Sequence, residues 1–90
     1  MEGTLARDTV SLGQLKVYNQ SFGAVSSVSD NFAYAPNDGL VGMAFGTISN
    51  SQQPTFFENV IPQLAAPLFS VYMTRGQPRG SEVSLPRCHD

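Results

Sequence analysis

The chain has 90 residues, of which 41% are hydrophobic and 13% are charged, and its formal net charge is −2. This length fits one small domain or a part of a larger one, because domains typically contain about 100 to 150 residues. The few basic residues are scattered, which excludes a surface that tracks nucleic-acid phosphates. No apolar run reaches the roughly 18 residues of a membrane-spanning helix, so we expect neither nucleic acid nor membrane as a partner.

The N-terminal half predicts a β-hairpin followed by loops and a buried strand. Short apolar runs punctuated by glycine and hydroxyl residues predict strands over residues 4–12 and 15–24, with Leu15 and Val17 alternating with Lys16 and Tyr18, and Gly13-Gln14 between them is a turn signal. Residues 26–31 are polar and predict a loop. Residues 35–39 are rich in turn formers, with Asp38-Gly39 able to supply a positive φ angle. Residues 40–45 are apolar on both faces, which predicts a buried strand.

The C-terminal half predicts one short helix and two more strands. Thr55 and Glu58 have the spacing of a capping box, which starts a helix that Pro62 should break. Residues 68–74 predict a strand with Phe69, Val71 and Met73 on one face, and residues 81–85 predict another. The predicted fold class is therefore mainly β, with antiparallel strands and one short helix.

Cysteine, histidine and glycine patterns predict no cofactor and no metal site. Cys88 and His89 are the only residues of their types and are neighbours near the C-terminus, so they cannot provide the three or four ligands that zinc needs. A lone cysteine also forms no internal disulfide. The sequence lacks the G-x-S-x-G elbow and the glycine-rich phosphate motifs, which disfavours a serine or cysteine nucleophile and a nucleotide site.

Asp8 stands in the segment Asp8-Thr9-Val10, which differs by one residue from an Asp-Thr-Gly catalytic loop. Val10 replaces the glycine that lets the backbone turn beside the carboxylate, and a β-branched residue favours an extended chain. We therefore expect Asp8 to be a strand residue without a catalytic role.

Asn19-Gln20-Ser21 matches the acceptor sequence for N-linked glycosylation. The residues from Met1 to Thr4 lack the basic and then apolar start of a secretory signal. From sequence alone, the motif is therefore expected to be a chance match and to stay unmodified.

Four blocks of sequence occur in order and together resemble one known family. They are EGTLARDTV at residues 2–10, NQSFG at 19–23, YAPNDGLVGMAF at 34–45 and LFSVYM at 68–73. These blocks resemble the pepsin-like aspartic proteases, and the fungal secreted type most. The resemblance covers residues 2 to about 85. It implies that residues 1–85 are a partial N-terminal lobe, its second half, and that residues 86–90 are a divergent tail.

The resemblance implies an aspartic-type endopeptidase whose catalytic part lies outside these residues. In the family, two Asp-Thr-Gly or Asp-Ser-Gly loops share a proton and activate the water that attacks a peptide bond. Neither motif occurs in this chain. The resemblance therefore implies no catalytic residue here, and the chain alone is expected to be inactive.

The resemblance also implies roles for five residues. Phe32 and Leu40 match positions that line the family's apolar substrate pockets, and Asn37 matches a further pocket position. Leu40, Val41 and Gly42 match an element that passes behind the catalytic loop and holds it. For Phe32 and Leu40, plain core packing is an equally open alternative.

The family implies protein or peptide substrates, no cofactor, and an extracellular or vacuolar location. It also implies that the missing protease segments are structural partners of this chain. The alternative from another class is a non-catalytic, β-rich module that binds a partner through exposed strand edges.

Overall fold

The computed structural model describes residues 1–87 and confirms the predicted mainly β fold class. The strands are β1 (Glu2–Leu12), β2 (Leu15–Ser27), β3 (Ser70–Tyr72) and β4 (Glu82–Ser84). The helices are α1 (Asp30–Ala33) and α2 (Phe56–Val60), with 3-10 turns at Gly46–Ile48 and Ile61–Gln63. The strands form two antiparallel sheets, β1-β2 and β3-β4. The chain divides into two compact units, and the second begins at Val60.

The first unit is built on the β1–β2 hairpin that the alternating pattern predicts. Gly13 makes the turn with φ of 60°, a conformation that glycine adopts at little cost. Strand β2 extends to Ser27, so the predicted loop over residues 26–31 is wrong. In its place the strand continues and α1 begins at Asp30.

A bulge interrupts the hairpin between Asp8 and Val10. Asp8 pairs with Gln20 and Val10 pairs with Val17, so β2 carries one extra residue at this point. Asn19 lies in the bulge with φ of 61°, a region that asparagine tolerates better than most residues. The bulge changes the side-chain alternation, and Leu15, Val17 and Gln20 are therefore all buried.

Residues 40–45 do not form the predicted buried strand. No strand among residues 1–87 pairs with this segment, and Leu40 and Phe45 are 75% and 86% exposed. An extended segment needs a neighbouring strand to satisfy its backbone groups, and the described chain offers none here. The preceding turn also differs from the expectation, because Gly39 is not among the residues with positive φ.

Helix α2 begins with the predicted capping box. The Glu58 amide donates to Thr55 Oγ1 at 3.1 Å, and the Thr55 amide donates to Glu58 Oε1 at 3.0 Å. The helix then tightens into the 3-10 turn Ile61–Gln63, which contains Pro62. The expected interruption by Pro62 is confirmed, because proline cannot donate the next helical hydrogen bond.

The second unit holds the small sheet β3–β4. Three residue pairs connect its strands, with Val71 opposite Val83 at the centre. Both strands are shorter than predicted, and Met73 lies outside β3 and is 80% exposed. The Ala65 amide donates to the Pro86 carbonyl at 2.7 Å beside a bridge between Leu64 and Arg87.

Few side chains are buried in either unit. The buried apolar residues among those described are Leu15, Val17 and Phe56 in the first unit, and Val60 and Leu64 in the second. No helix within residues 1–87 has the length and hydropathy to cross a membrane.

Candidate functional site

A cavity of about 780 Å³ in the first unit brings three predicted pocket residues together. Phe32, Asn37 and Leu40 all line it, and β2 contributes Phe22 and Val25 to the wall. We call this space the Phe32 cavity. Its position follows from the hairpin and α1, because β2 ends at Ser27 and the chain then turns through α1.

The polar groups of the Phe32 cavity are few. Asn37 Nδ2 donates to the carbonyl of Gly39 at 3.0 Å, which holds the loop that leads to Leu40. Asp38 is the single carboxylate among the lining residues. A water molecule activated by two facing carboxylates therefore has no counterpart in this cavity, whose apolar walls suit the binding of apolar side chains.

A second cavity of about 280 Å³ contains the predicted support residues. Leu40, Val41 and Gly42 line it, together with Val10 of β1 and Phe56 of α2. We call this space the Gly42 cavity. Leu40 lines both cavities, as do Phe22 and Gly23, so the residue to which both roles were assigned from the family pattern lies between the two spaces.

Gly42 itself faces open space within the described chain. A Cβ atom built on Gly42 meets no heavy atom within 4 Å, and its φ is not positive. The close backbone approach that a glycine permits at this position is thus not made by residues 1–87.

Gln20 lies on the wall of the Gly42 cavity and is 5% exposed. Its Nε2 donates to the carbonyls of Ser21 at 2.9 Å and Pro54 at 3.2 Å, and its Oε1 accepts from Asn59 Nδ2 at 2.6 Å. One buried amide thereby joins β2 to the segment that starts α2. Its hydrogen bonds repay the cost of burying a polar group.

The capping box lies next to this region, since Thr55 lines the Gly42 cavity. Hydrogen bonds from the amide and hydroxyl of Thr55 lower the pKa of Glu58 below its ordinary value. The ionised carboxylate is therefore the form that the folded helix start favours.

The remaining predicted chemistry does not gather at either cavity. Asp8 lies in β1, as expected, where its Oδ1 accepts from the Thr9 amide at 2.7 Å. Among residues 1–87, no three His, Cys, Asp or Glu residues lie close enough to hold a metal ion. Cys88 and His89 lie outside the described residues.

Sequence reasoning missed Gln20 and the wall formed by Phe22 and Val25. Simple alternation from Leu15 and Val17 would direct Asn19 inward and Gln20 outward. The signal that corrects this is Asn19 itself, because an asparagine inside a strand pattern is compatible with a left-handed bulge residue.

Comparisons with known proteins agree on one family. A sequence profile described as "Eukaryotic aspartyl protease" matches residues 1–88. Cathepsin D of Gallus gallus is 43% identical over 86 residues, which cover 89% of this chain and 22% of cathepsin D. Pepsin A of Gallus gallus is 40% identical over 86 residues, which cover 92% of this chain and 23% of pepsin A. Aspartic protease PEP1 of Arthroderma benhamiae is 39% identical over 80 residues, which cover 84% of this chain and 20% of that protein.

The relatives are thus animal and fungal, and this chain spans about a fifth of their length. No solved structure matches the chain significantly. The profile match over nearly all residues, together with the order of the four sequence blocks, establishes that the chain belongs to the eukaryotic aspartyl protease family.

Proposed function

We propose that this chain is a non-catalytic part of a pepsin-like aspartic endopeptidase, from the second half of the N-terminal lobe. It supplies walls of the substrate cleft and support for a catalytic loop that lies elsewhere in the enzyme. The observation that carries the proposal is the Phe32 cavity, which gathers Phe32, Asn37 and Leu40 but holds one carboxylate, Asp38.

The substrate of the whole enzyme is proposed to be a protein or peptide with apolar side chains near the cleaved bond. Phe22, Val25, Phe32 and Leu40 give the Phe32 cavity an apolar wall, which removes apolar substrate surface from water. In this role Phe32 and Leu40 bind substrate side chains. The exposed position of Leu40 favours this role over core packing.

Support of the catalytic loop is proposed for Leu40, Val41 and Gly42. These residues line the Gly42 cavity, and the space beside Gly42 is open. The missing protease segments are the proposed occupants of this space. A backbone that passes directly against Gly42 would leave no room for a larger residue there.

The parent enzyme is proposed to be of the fungal secreted type and to act outside the cell or in the vacuole. The resemblance of the four blocks supports this assignment, and one relative is the fungal aspartic protease PEP1. The parent enzyme is proposed to need no cofactor.

The direct test is proteolysis of a denatured protein by the isolated chain at acidic pH. We expect no cleavage that pepstatin inhibits, because both the general acid and the general base are absent. A longer relative with both catalytic loops serves as the positive control. Pepstatin-sensitive cleavage by the isolated chain would overturn the proposal.

The support role is tested by Gly42→Ala in two settings. In the isolated chain we expect unchanged amide exchange, because the added Cβ meets no atom within 4 Å. In a longer, active aspartic protease that contains this sequence, we expect kcat to fall at least tenfold because a misplaced catalytic group loses its alignment. Unchanged kcat in the longer enzyme would remove Gly42 from the support role.

A further inference from the structure

We propose that Asn19 is a site of N-linked glycosylation in the folded protein. The acceptor group is the side-chain amide of Asn19, and the modifying group is the oligosaccharide of a lipid-linked donor in the secretory pathway. The proposal rests on the proposed extracellular or vacuolar location and is independent of proteolytic activity.

The acceptor sequence is complete and stands at the surface. Asn19-Gln20-Ser21 has the required Asn-x-Ser pattern without proline in the middle. It is the one such pattern in the 90 residues. The Asn19 side chain is exposed, so a bulky, water-soluble sugar can extend into solvent.

The bulge gives Asn19 room that an ordinary strand position lacks. Its φ of 61° removes it from the regular β2 geometry, and the β1–β2 register assigns it no partner between the pairs Asp8–Gln20 and Val10–Val17. A glycan on Asn19 therefore displaces no residue of the opposite strand.

Gln20, next to Asn19, is fixed by hydrogen bonds, whereas the side-chain amide of Asn19 makes none within the described chain. Gln20 is anchored by Pro54 and Asn59, and none of the hydrogen bonds among residues 1–87 uses the Asn19 side chain. Modification thus costs the fold no hydrogen bond. The proposal departs from the expectation from sequence that this motif stays bare.

The transfer forms one bond and breaks one. Asn19 Nδ2 bonds to the anomeric carbon of the oligosaccharide, whose bond to the lipid pyrophosphate breaks. The pyrophosphate leaves with the electron pair of that bond, and the displaced amide proton passes to a base of the transferase. The product keeps one N–H on the side chain and carries the sugar on the same nitrogen.

The test expresses the full chain behind a cleavable secretory leader in a eukaryotic host. Intact mass reports leader cleavage, which proves entry into the pathway, and peptide N-glycosidase digestion reports the glycan. We expect a glycosidase-sensitive form that disappears in Asn19→Gln and Ser21→Ala and persists in Ser21→Thr. The matched control Asn50→Gln, at an asparagine outside any acceptor sequence, keeps the glycan.

Two results would overturn the proposal. One is a leader-cleaved chain that carries no glycan. The other is a glycosylated chain whose β1–β2 amides exchange faster than those of the unglycosylated chain made in bacteria, which would show that the folded hairpin does not accommodate the sugar. The bacterial chain is the reference because peptide N-glycosidase converts Asn19 to aspartate. Comparable exchange in the two chains supports a site compatible with the fold. Neither result depends on the proteolysis assay.

Discussion

At the scale of single residues, Gln20 connects β2 to the segment at the start of α2 through one buried amide. It donates to the carbonyls of Ser21 and Pro54 and accepts from Asn59. A buried polar group that is satisfied on both its nitrogen and its oxygen fixes the geometry of its neighbours, because each alternative arrangement leaves a group unpaired. Gln20 thereby positions the segment that forms one wall of the Gly42 cavity.

Gln20→Leu should weaken this connection, because the Asn59 amide and the Pro54 carbonyl lose their partner. The expected cost is about 1–2 kcal/mol of local opening free energy, seen as faster exchange of the amides at the start of α2. Gln53→Leu is the control, since it removes one exposed bond to Arg7 and should change the exchange little. Equal effects of the two changes would contradict the role of Gln20.

The sequence predicted some of the residues that line the two cavities and missed others, and the difference has a physical reason. Phe32, Asn37 and Leu40 were predicted from the family pattern and line one cavity. Gln20 was missed because its burial depends on the bulge at Asn19, and strand alternation assumes a regular register. A one-residue bulge transfers every later side chain to the other face.

At the scale of elements, the capping box of α2 couples helix formation to pH. Folding lowers the pKa of Glu58 through hydrogen bonds from Thr55. The ionised Glu58 carboxylate therefore stabilises the helix start fully at pH values above its ordinary pKa of 4.5. This stabilisation is lost as the pH falls through the lower pKa of the folded state. The helix start should accordingly loosen in strong acid.

Glu58→Gln should remove this pH dependence, because the amide oxygen still accepts a hydrogen bond but carries no charge to titrate. The measurement is the chemical shift and exchange rate of the Thr55 amide as pH is lowered. Glu82→Gln, in β4, is the control and should keep the titration of the parent chain. A Thr55 amide that titrates identically in Glu58→Gln would contradict the assignment.

The β1–β2 hairpin depends on a close approach at Gly3. A Cβ on Gly3 would collide with the carbonyl oxygen of Ala24 and lie 2.7 Å from the Val25 Cα. Both atoms belong to the backbone of β2, so neither can move away without disturbing the strand pairing.

Gly3→Ala should lower the free energy of opening at the end of the hairpin by about 1–3 kcal/mol, which raises amide exchange there roughly 5- to 160-fold. Gly23→Ala is the matched control, because a Cβ at Gly23 meets no atom within 4 Å. The comparison is made by hydrogen exchange of the β1 and β2 amides. If the β1 and β2 amides stay protected from exchange in Gly3→Ala but lose protection in Gly23→Ala, the hairpin does not depend on the close approach at Gly3.

Elements that depend on residues close together in sequence were predicted correctly. Elements that must pair with a strand far away in sequence were not. The hairpin turn at Gly13 and the capping box depend on residues close in sequence. The apolar run at residues 40–45 has the composition of a buried strand but lacks a strand partner within residues 1–87. Composition predicts burial, whereas pairing requires a neighbour that the local sequence does not specify.

At the scale of the whole molecule, the chain exposes more surface than its mass predicts. Its accessible surface is 7506 Å², whereas a folded monomer of this mass exposes about 5,100 Å². Even two separate compact bodies with the sizes of the two units would expose only about 6,100 Å². The excess includes large apolar side chains such as Tyr34, Leu40, Phe45 and Met73.

Such exposed apolar surface marks a place where other protein is expected. The chain spans about a fifth of the length of its relatives, and the rest of a protease of that length is the proposed source of the cover. The central claim is that these residues are support and cleft wall for a catalytic pair located elsewhere. A self-sufficient β module, the alternative, would have to bury most of this surface by itself.

The most direct measurement is a thermal melt of the purified, monomeric chain followed by near-UV circular dichroism. With five buried apolar residues in the described part, we expect a weak signal from its tyrosines and phenylalanines and a broad, non-cooperative change on heating. A strong near-UV signal lost in one sharp, reversible transition of a monomer would contradict the account and favour an independent module.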